Sequence, residues 1–185
     1  TTYSPLKHWK IGKGSRVGVL GLGGLGHMGV KIAVAMGAEV TMLSHTASKE
    51  VDAKRLGAHQ FILTSDEAQI KKVTGYFDFI LNTVSADHDY NFYLGLLRAS
   101  GTMVCVGLPS TPAQIPMFNL VFGRKSIAGS LIGGLPETQE MLDFCAEHNI
   151  VSDIEIIAMK DINTAYERLE KSDVKYRFVI DMSTL

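Results

Sequence analysis

The chain has 185 residues, 46% of them hydrophobic and 20% charged, and a formal net charge of −1. That length allows one sizeable domain with small appendages, and the near-neutral charge excludes an electrostatic footprint for nucleic acid or an anionic membrane. No apolar run is long enough for a membrane span, and no leader or lipid-attachment pattern opens the chain. Pro5 and the later Gly12 predict a short helix over 6–10, followed by a strand over 17–20. A helix follows with Leu25, Met28, Ile32, Ala33 and Met36 on one face, stopped by Gly37. Next come a strand over 40–43, a polar-faced helix over 47–56 ended by Gly57, and a strand over 61–63. A brief helix over 66–73, a strand over 77–82, a helix capped by Asp87 or Asp89 and a strand over 102–106 complete the alternation. After a Pro-containing excursion over 110–116, the pattern reads as a sixth strand over 126–132 and a helix over 136–148. A strand over 154–158, a helix over 162–169 and a strand over 178–182 close the chain.

Repeated strand–helix alternation with short connections predicts an α/β fold with a doubly wound, parallel six-stranded Rossmann sheet. Parallel neighbours need crossovers, and the crossover helices cover both faces. The division expected is a Rossmann domain over 1–150 and a strand–helix–strand piece over 151–185. Cys105 and Cys145 form no C-x-x-C pair and read as buried free thiols, which points to a reducing, cytoplasmic setting.

The chemistry is concentrated in G-x-G-x-x-G at Gly21, Gly23 and Gly26, directly after the first strand and at the head of a helix. That context gives the motif its meaning as a pyrophosphate cradle. Gly21 permits a tight turn, Gly23 lets main chain approach the phosphates, and Gly26 lets the helix pack against the strand. Free N–H groups at the helix start then face the anion.

An NAD site places Asp or Glu about 20 residues beyond the glycines, at the end of the second strand, to bind the ribose hydroxyls. Here the loop reads Ser44-His45-Thr46-Ala47-Ser48-Lys49, with no carboxylate before Glu50. Hydroxyls, an imidazole and a lysine attract a 2′-phosphate that a carboxylate would repel, so the expected coenzyme is NADP(H). A helix cap at Thr46 or Ser48 with a solvated Lys49 accounts for one hydroxyl but not for the missing acid.

Gly21-Leu22-Gly23-Gly24-Leu25-Gly26-His27-Met28 resembles the zinc-dependent medium-chain dehydrogenase/reductases, and within them the cinnamyl (aryl and aliphatic) alcohol dehydrogenase branch. Thr2–Leu6, Leu81–Ser85, Val106–Pro109, Gly129–Gly134 and Tyr176–Asp181 carry the same likeness in the same order. The resemblance implies NADP-dependent, reversible hydride transfer between alcohols and aldehydes. Carried over by position, it sets Gly24 and Leu25 against the pyrophosphate and Ser44, His45, Thr46 and Lys49 around the 2′-phosphate. It puts Thr83 and Val84 beside the adenosine ribose and the coenzyme cleft. Val106, Gly107 and Leu108, with Ser130, Leu131 and Ile132, would line the nicotinamide. His45 departs from the basic or hydroxyl residue often found at its position. Related enzymes also pair their sixth strands across a two-fold axis, which implies a homodimer through residues 126–132.

The family adds an N-terminal domain that supplies a catalytic zinc site, a proton relay and a four-cysteine structural zinc. The last zinc-ligand cysteine would fall just before Thr1. The expectation is therefore a coenzyme-binding fragment, inactive alone, whose C-terminal strands would pack on the absent half. Six scattered histidines and two cysteines do not rebuild an open zinc site, which needs three convergent ligands. Two other readings stay open: a standalone NADP(H)-binding sensor, and part of a zinc-free quinone-reductase-like enzyme. A short-chain dehydrogenase Tyr-x-x-x-Lys pair occurs only at Tyr3 and Lys7, ahead of the glycines and across Pro5, where chance explains it. The alcohol or aldehyde itself is not legible.

Overall fold

The computed structural model describes every residue from Thr1 to Leu185. Strands β1 (Arg16–Leu20), β2 (Glu39–Ser44), β3 (Gln60–Leu63), β4 (Phe77–Asn82), β5 (Leu97–Cys105) and β6 (Ser126–Gly129) form one parallel sheet. Its order is β3-β2-β1-β4-β5-β6, so the winding reverses between β1 and β4. Helices α1 (Tyr3–His8), α2 (Gly26–Ala35), α3 (Glu50–Arg55), α4 (Glu67–Val73), α5 (Tyr90–Leu96), α6 (Phe118–Val121) and α7 (Leu135–Glu147) lie between and beyond these strands. None is long and apolar enough to cross a membrane.

Strand alternation explains the two-sided core. Val17, Val19, Val40, Met42, Phe79 and Leu81 belong to one apolar cluster, shared with α1 and α2. The intervening Leu43, Ile80 and Met103 belong to the other, with Val73, Leu94 and Leu96. Successive side chains leave opposite faces of a strand, so a sheet covered on both sides reads as an unbroken apolar run.

Several expected boundaries move. α1 starts at Tyr3, ahead of the predicted 6–10, and carries Pro5 within its first turns. The helix expected over 47–56 begins as a 3₁₀ turn, Ala47–Lys49, before α3. Asp89 rather than Asp87 caps α5, its Oδ1 accepting from the Asn91 N–H at 2.9 Å. On α2 the buried residues are Gly26, His27, Gly29, Val30, Ile32 and Ala33, so the expected stripe is buried at Ile32 and Ala33 and only half-buried at Leu25, Met28 and Met36. Helix and sheet approach so closely that a Cβ on Gly29 would lie 2.9 Å from Leu81, so glycine takes the contact positions.

The strand expected over 126–132 stops at Gly129. Its partner β5 ends at Cys105, whose carbonyl takes one last bond from the Ser130 N–H at 3.1 Å. With no ladder left to pair with, Leu131 and Ile132 turn out to solvent. Strand β5 in turn starts at Leu97, well ahead of the predicted 102, across a register shift opposite Phe77–Phe79.

The chain then adds β7 (Ile154–Ala158), α8 (Ile162–Glu170) and β8 (Arg177–Asp181), a parallel pair separate from the main sheet. Ion pairs hold this unit to the flank of α2 and α3: Asp153 meets Lys31 and Arg55, and Lys175 reaches Asp52 at 2.7 Å.

Candidate functional site

Where the winding reverses, the carboxyl ends of β1 and β4 part and leave a crevice, the usual ligand position in open α/β sheets. A cleft of about 420 Å³ opens there, floored by Leu20, Gly21, Leu22 and Leu43.

The glycine turn forms its lip. Gly21 sits at φ +90°, a backbone state that L side chains rarely adopt, and a Cβ on it would stand 2.7 Å from Val84. A Cβ on Gly26 would land on the Gly21 carbonyl oxygen, so only glycine lets α2 start this near the strand. Above Gly23 the space is open, with no atom within 4 Å of where a Cβ would be. The N–H groups of Leu22, Gly23, Gly24, Leu25 and Gly26 donate to no protein acceptor. The cap of α2 at Leu25 has no side-chain bond, and no acid occupies the first turn. A run of unpaired amides at the positive end of a helix is an anion site.

Along one side of the cleft, at the end of β2, lie Ser44, His45, Thr46 and Lys49. Ser44 Oγ accepts the Thr46 N–H at 3.1 Å and so shapes the loop. Thr46 makes no side-chain cap bond to the 3₁₀ turn, which leaves its hydroxyl uncommitted there. Lys49 Nζ donates to the Leu22 carbonyl and lies 6.0 Å from the Tyr176 ring centroid.

Beyond β4, Asn82 is buried and organises the opposite wall. Its Oδ1 accepts the Val84 N–H at 3.2 Å and its Nδ2 meets His88 Nε2 at 2.9 Å. The His88 Nδ1–H donates to the Ala86 carbonyl at 2.7 Å. Thr83 Oγ1 donates to the Leu20 carbonyl at 2.8 Å, so its proton staples β4 to β1 rather than facing the cleft. Burial pushes the Cys105 thiol up, with the Asn82 amide pulling the other way. No group of three or more His, Cys, Asp or Glu side chains is arranged to hold a metal ion.

Of the expected site residues, Gly21, Gly23, Gly24, Ser44, His45, Thr46, Lys49 and Val84 line the cleft. Leu25 and Thr83 line an adjoining recess over the glycine turn, and Gly26 lies behind it as the first residue of α2. Val106, Gly107, Leu108, Ser130, Leu131 and Ile132 border neither space. They sit past the ends of β5 and β6, with the Val106 N–H bonded to the Asn82 carbonyl and the Leu108 N–H to Ser85 Oγ.

The C-terminal unit supplies lining residues that the sequence did not single out. Leu169, Ser172, Val174 and Tyr176 face the cleft, and Arg177 faces the recess, where its guanidinium donates to the Gly24 carbonyl at 3.1 Å. Burial pushes the Tyr176 hydroxyl up to about 12, and its oxygen has no hydrogen-bond partner. The only local signal for these residues was the segment Tyr176–Asp181, which names neither a partner nor a direction.

The fold has close counterparts among solved structures. The chain superposes on a cinnamyl alcohol dehydrogenase from Sorghum bicolor with a TM-score of 0.96 and 46% identity, covering 99% of this chain and 52% of that one. A Helicobacter pylori CAD solved with NADP(H) gives a TM-score of 0.89 and 44% identity over 99% of this chain and 52% of its own. In sequence it is 56% identical to NADP-dependent alcohol dehydrogenase C 1 of Mycolicibacterium smegmatis over 185 residues, 100% of this chain and 53% of that protein. The chain thus spans about half the length of the curated relatives it matches. With residues 24–147 matching the family described as zinc-binding dehydrogenase, the chain belongs to that family.

Proposed function

We propose that this chain is the NADP(H)-binding part of an enzyme that transfers hydride between the coenzyme and an alcohol or aldehyde. The observation that carries the reading is the run of unpaired amides from Leu22 to Gly26, facing a β2 end that offers Lys49 and no carboxylate. The amides would hold the pyrophosphate, and Arg177, fixed by the Gly24 carbonyl, adds a positive charge beside it. Lys49, Thr46 and Ser44 would take the 2′-phosphate, with His45 at the open edge. Val84 and Tyr93 give the cleft apolar and aromatic walls for the adenosine. Main chain past β5 and β6, at Val106–Leu108 and Ser130–Ile132, would meet the nicotinamide end, farther along the same edge of the sheet. The coenzyme supplies the hydride chemistry, and the chain's own groups bind and orient it.

The residues of this chain do not fit a zinc site, and the group that polarises a carbonyl has to come from outside them. The piece over 151–185 serves as a bridge from the coenzyme-binding domain to a further domain. Ile154, Ile156 and Val179 on β7 and β8 are each more than two-fifths exposed and give that domain an apolar face to cover. Pairing of β6 with its copy would make a homodimer, and free thiols at Cys105 and Cys145 suit the cytoplasm. Calorimetric titration with NADPH and NADH at matched ionic strength tests the reading. Preference for NADPH is the expected result, and preference for NADH overturns the coenzyme assignment.

A further inference from the structure

His27 is fully buried beneath the glycine turn, and both of its ring nitrogens are engaged. Nδ1 lies 3.0 Å from the Gly23 carbonyl oxygen. That oxygen also accepts the His27 main-chain N–H at 3.0 Å, so one residue grips it twice. On the other side of the ring, the Asp153 N–H points at Nε2 across 3.4 Å. A carbonyl only accepts and an amide N–H only donates. The two partners therefore select a single neutral tautomer, with the proton on Nδ1. Tyr176 stacks on the ring at 4.8 Å between centroids and 20° between planes. The charged groups facing it are Lys31 on α2, Arg177 on β8 and Asp153 ahead of β7.

The grip has a geometric consequence for the crevice. A trans peptide is planar, so its N–H points away from its C=O. Drawing the Gly23 oxygen back into the first turn of α2 turns the Gly24 N–H outward, and that amide donates to no protein acceptor. We propose that His27 is a positioning residue for the coenzyme pyrophosphate: its double hold on Gly23 aims the Gly24 amide, and its bond to Asp153 ties that aim to the C-terminal unit. The inference rests on the coenzyme reading above and assigns His27 no contact with the coenzyme.

The test uses the whole chain. In His27→Phe the ring can still stack on Tyr176 but has no donor, whereas the shorter His27→Asn amide can reach the Gly23 carbonyl. NADPH binding is expected to weaken about tenfold or more in the Phe variant and to stay within about threefold of wild type in the Asn variant. Adenosine 2′-phosphate, which lacks the pyrophosphate, is expected to bind all three proteins alike. Equal NADPH binding by wild type and His27→Phe overturns the proposal, as does a matching loss of adenosine 2′-phosphate. A second measurement needs no variant: nitrogen-15 NMR of the unmodified chain at pH 8 is expected to find the His27 proton on Nδ1, and a proton on Nε2 overturns the proposal. A wild-type chain that binds neither NADPH nor NADH removes the coenzyme reading, and this inference with it.

Discussion

Lys49 Nζ donates to the carbonyl oxygen of Leu22 at 3.3 Å, joining the end of β2 to the glycine turn across the cleft. The ammonium is therefore already held at the lip, and a neutral carbonyl is its only hydrogen-bonding partner in the chain. Charge-assisted hydrogen bonds contribute roughly 1.5–3 kcal/mol. Lys49→Ala is expected to weaken NADPH by about that amount and to leave NADH nearly unchanged. Titrations with the two coenzymes at low and high salt check this, because the NADPH term falls with ionic strength.

Gly26→Ala should fail structurally before it fails functionally. The added methyl meets the Gly21 carbonyl, a main-chain atom that cannot step aside. Overpacking of this kind costs about 1–3 kcal/mol. The urea midpoint should drop accordingly, with NADPH binding lost in the protein that remains folded. Gly23→Ala, where the added Cβ meets open space, should keep its stability and lose coenzyme affinity alone.

How much of this was readable follows from which interactions are local. The glycine turn was legible because its requirement is local: Gly21 needs φ +90° and Gly26 needs contact with the Gly21 carbonyl, a few residues away. The sixth strand was overextended because Leu131 and Ile132 have strand character, while the length of β6 is set by where β5 ends. The apolar stripe on α2 locates Ile32 and Ala33 but not Gly26 and Gly29, because close approach to the sheet there requires glycine, which carries no hydropathy signal. Tyr176 and Arg177 were not assigned to the cleft because the β7–β8 packing brings them there, and nothing near them in sequence states that destination.

Acidification should destabilise the chain through His27. Burial lowers its pKa from the ordinary value of 6.5, against an opposing pull from the Gly23 carbonyl. In the window between 6.5 and the folded value the unfolded chain binds the proton and the folded chain resists it. Stability therefore falls as pH drops below about 6.5 and levels off once both states are protonated. Urea unfolding from pH 8 to pH 5 should show that slope in wild type and a shallower one in His27→Asn.

The surface near β6 predicts self-association. Phe118 and Phe122 stack at 5.2 Å and are 69% and 81% exposed, shortly ahead in sequence of a strand whose outer edge pairs with nothing in this chain. Light scattering at tens of micromolar protein is expected to give a dimer, and Phe122→Lys a shift toward monomer without loss of helical signal. A wild-type monomer at that concentration removes the pairing.

Tyr176 joins two parts of the cleft wall, lying flat on His27 behind the glycine turn with its ring centroid 6.0 Å from the Lys49 ammonium. A cut at residue 150, where the doubly wound sheet is already complete, would discard that ring along with Arg177. The smallest piece that keeps this cleft whole is accordingly longer than its sheet. Anyone grafting the cleft onto another scaffold must carry residues 151–185 with it, because their side chains complete walls whose floor β1 lays down.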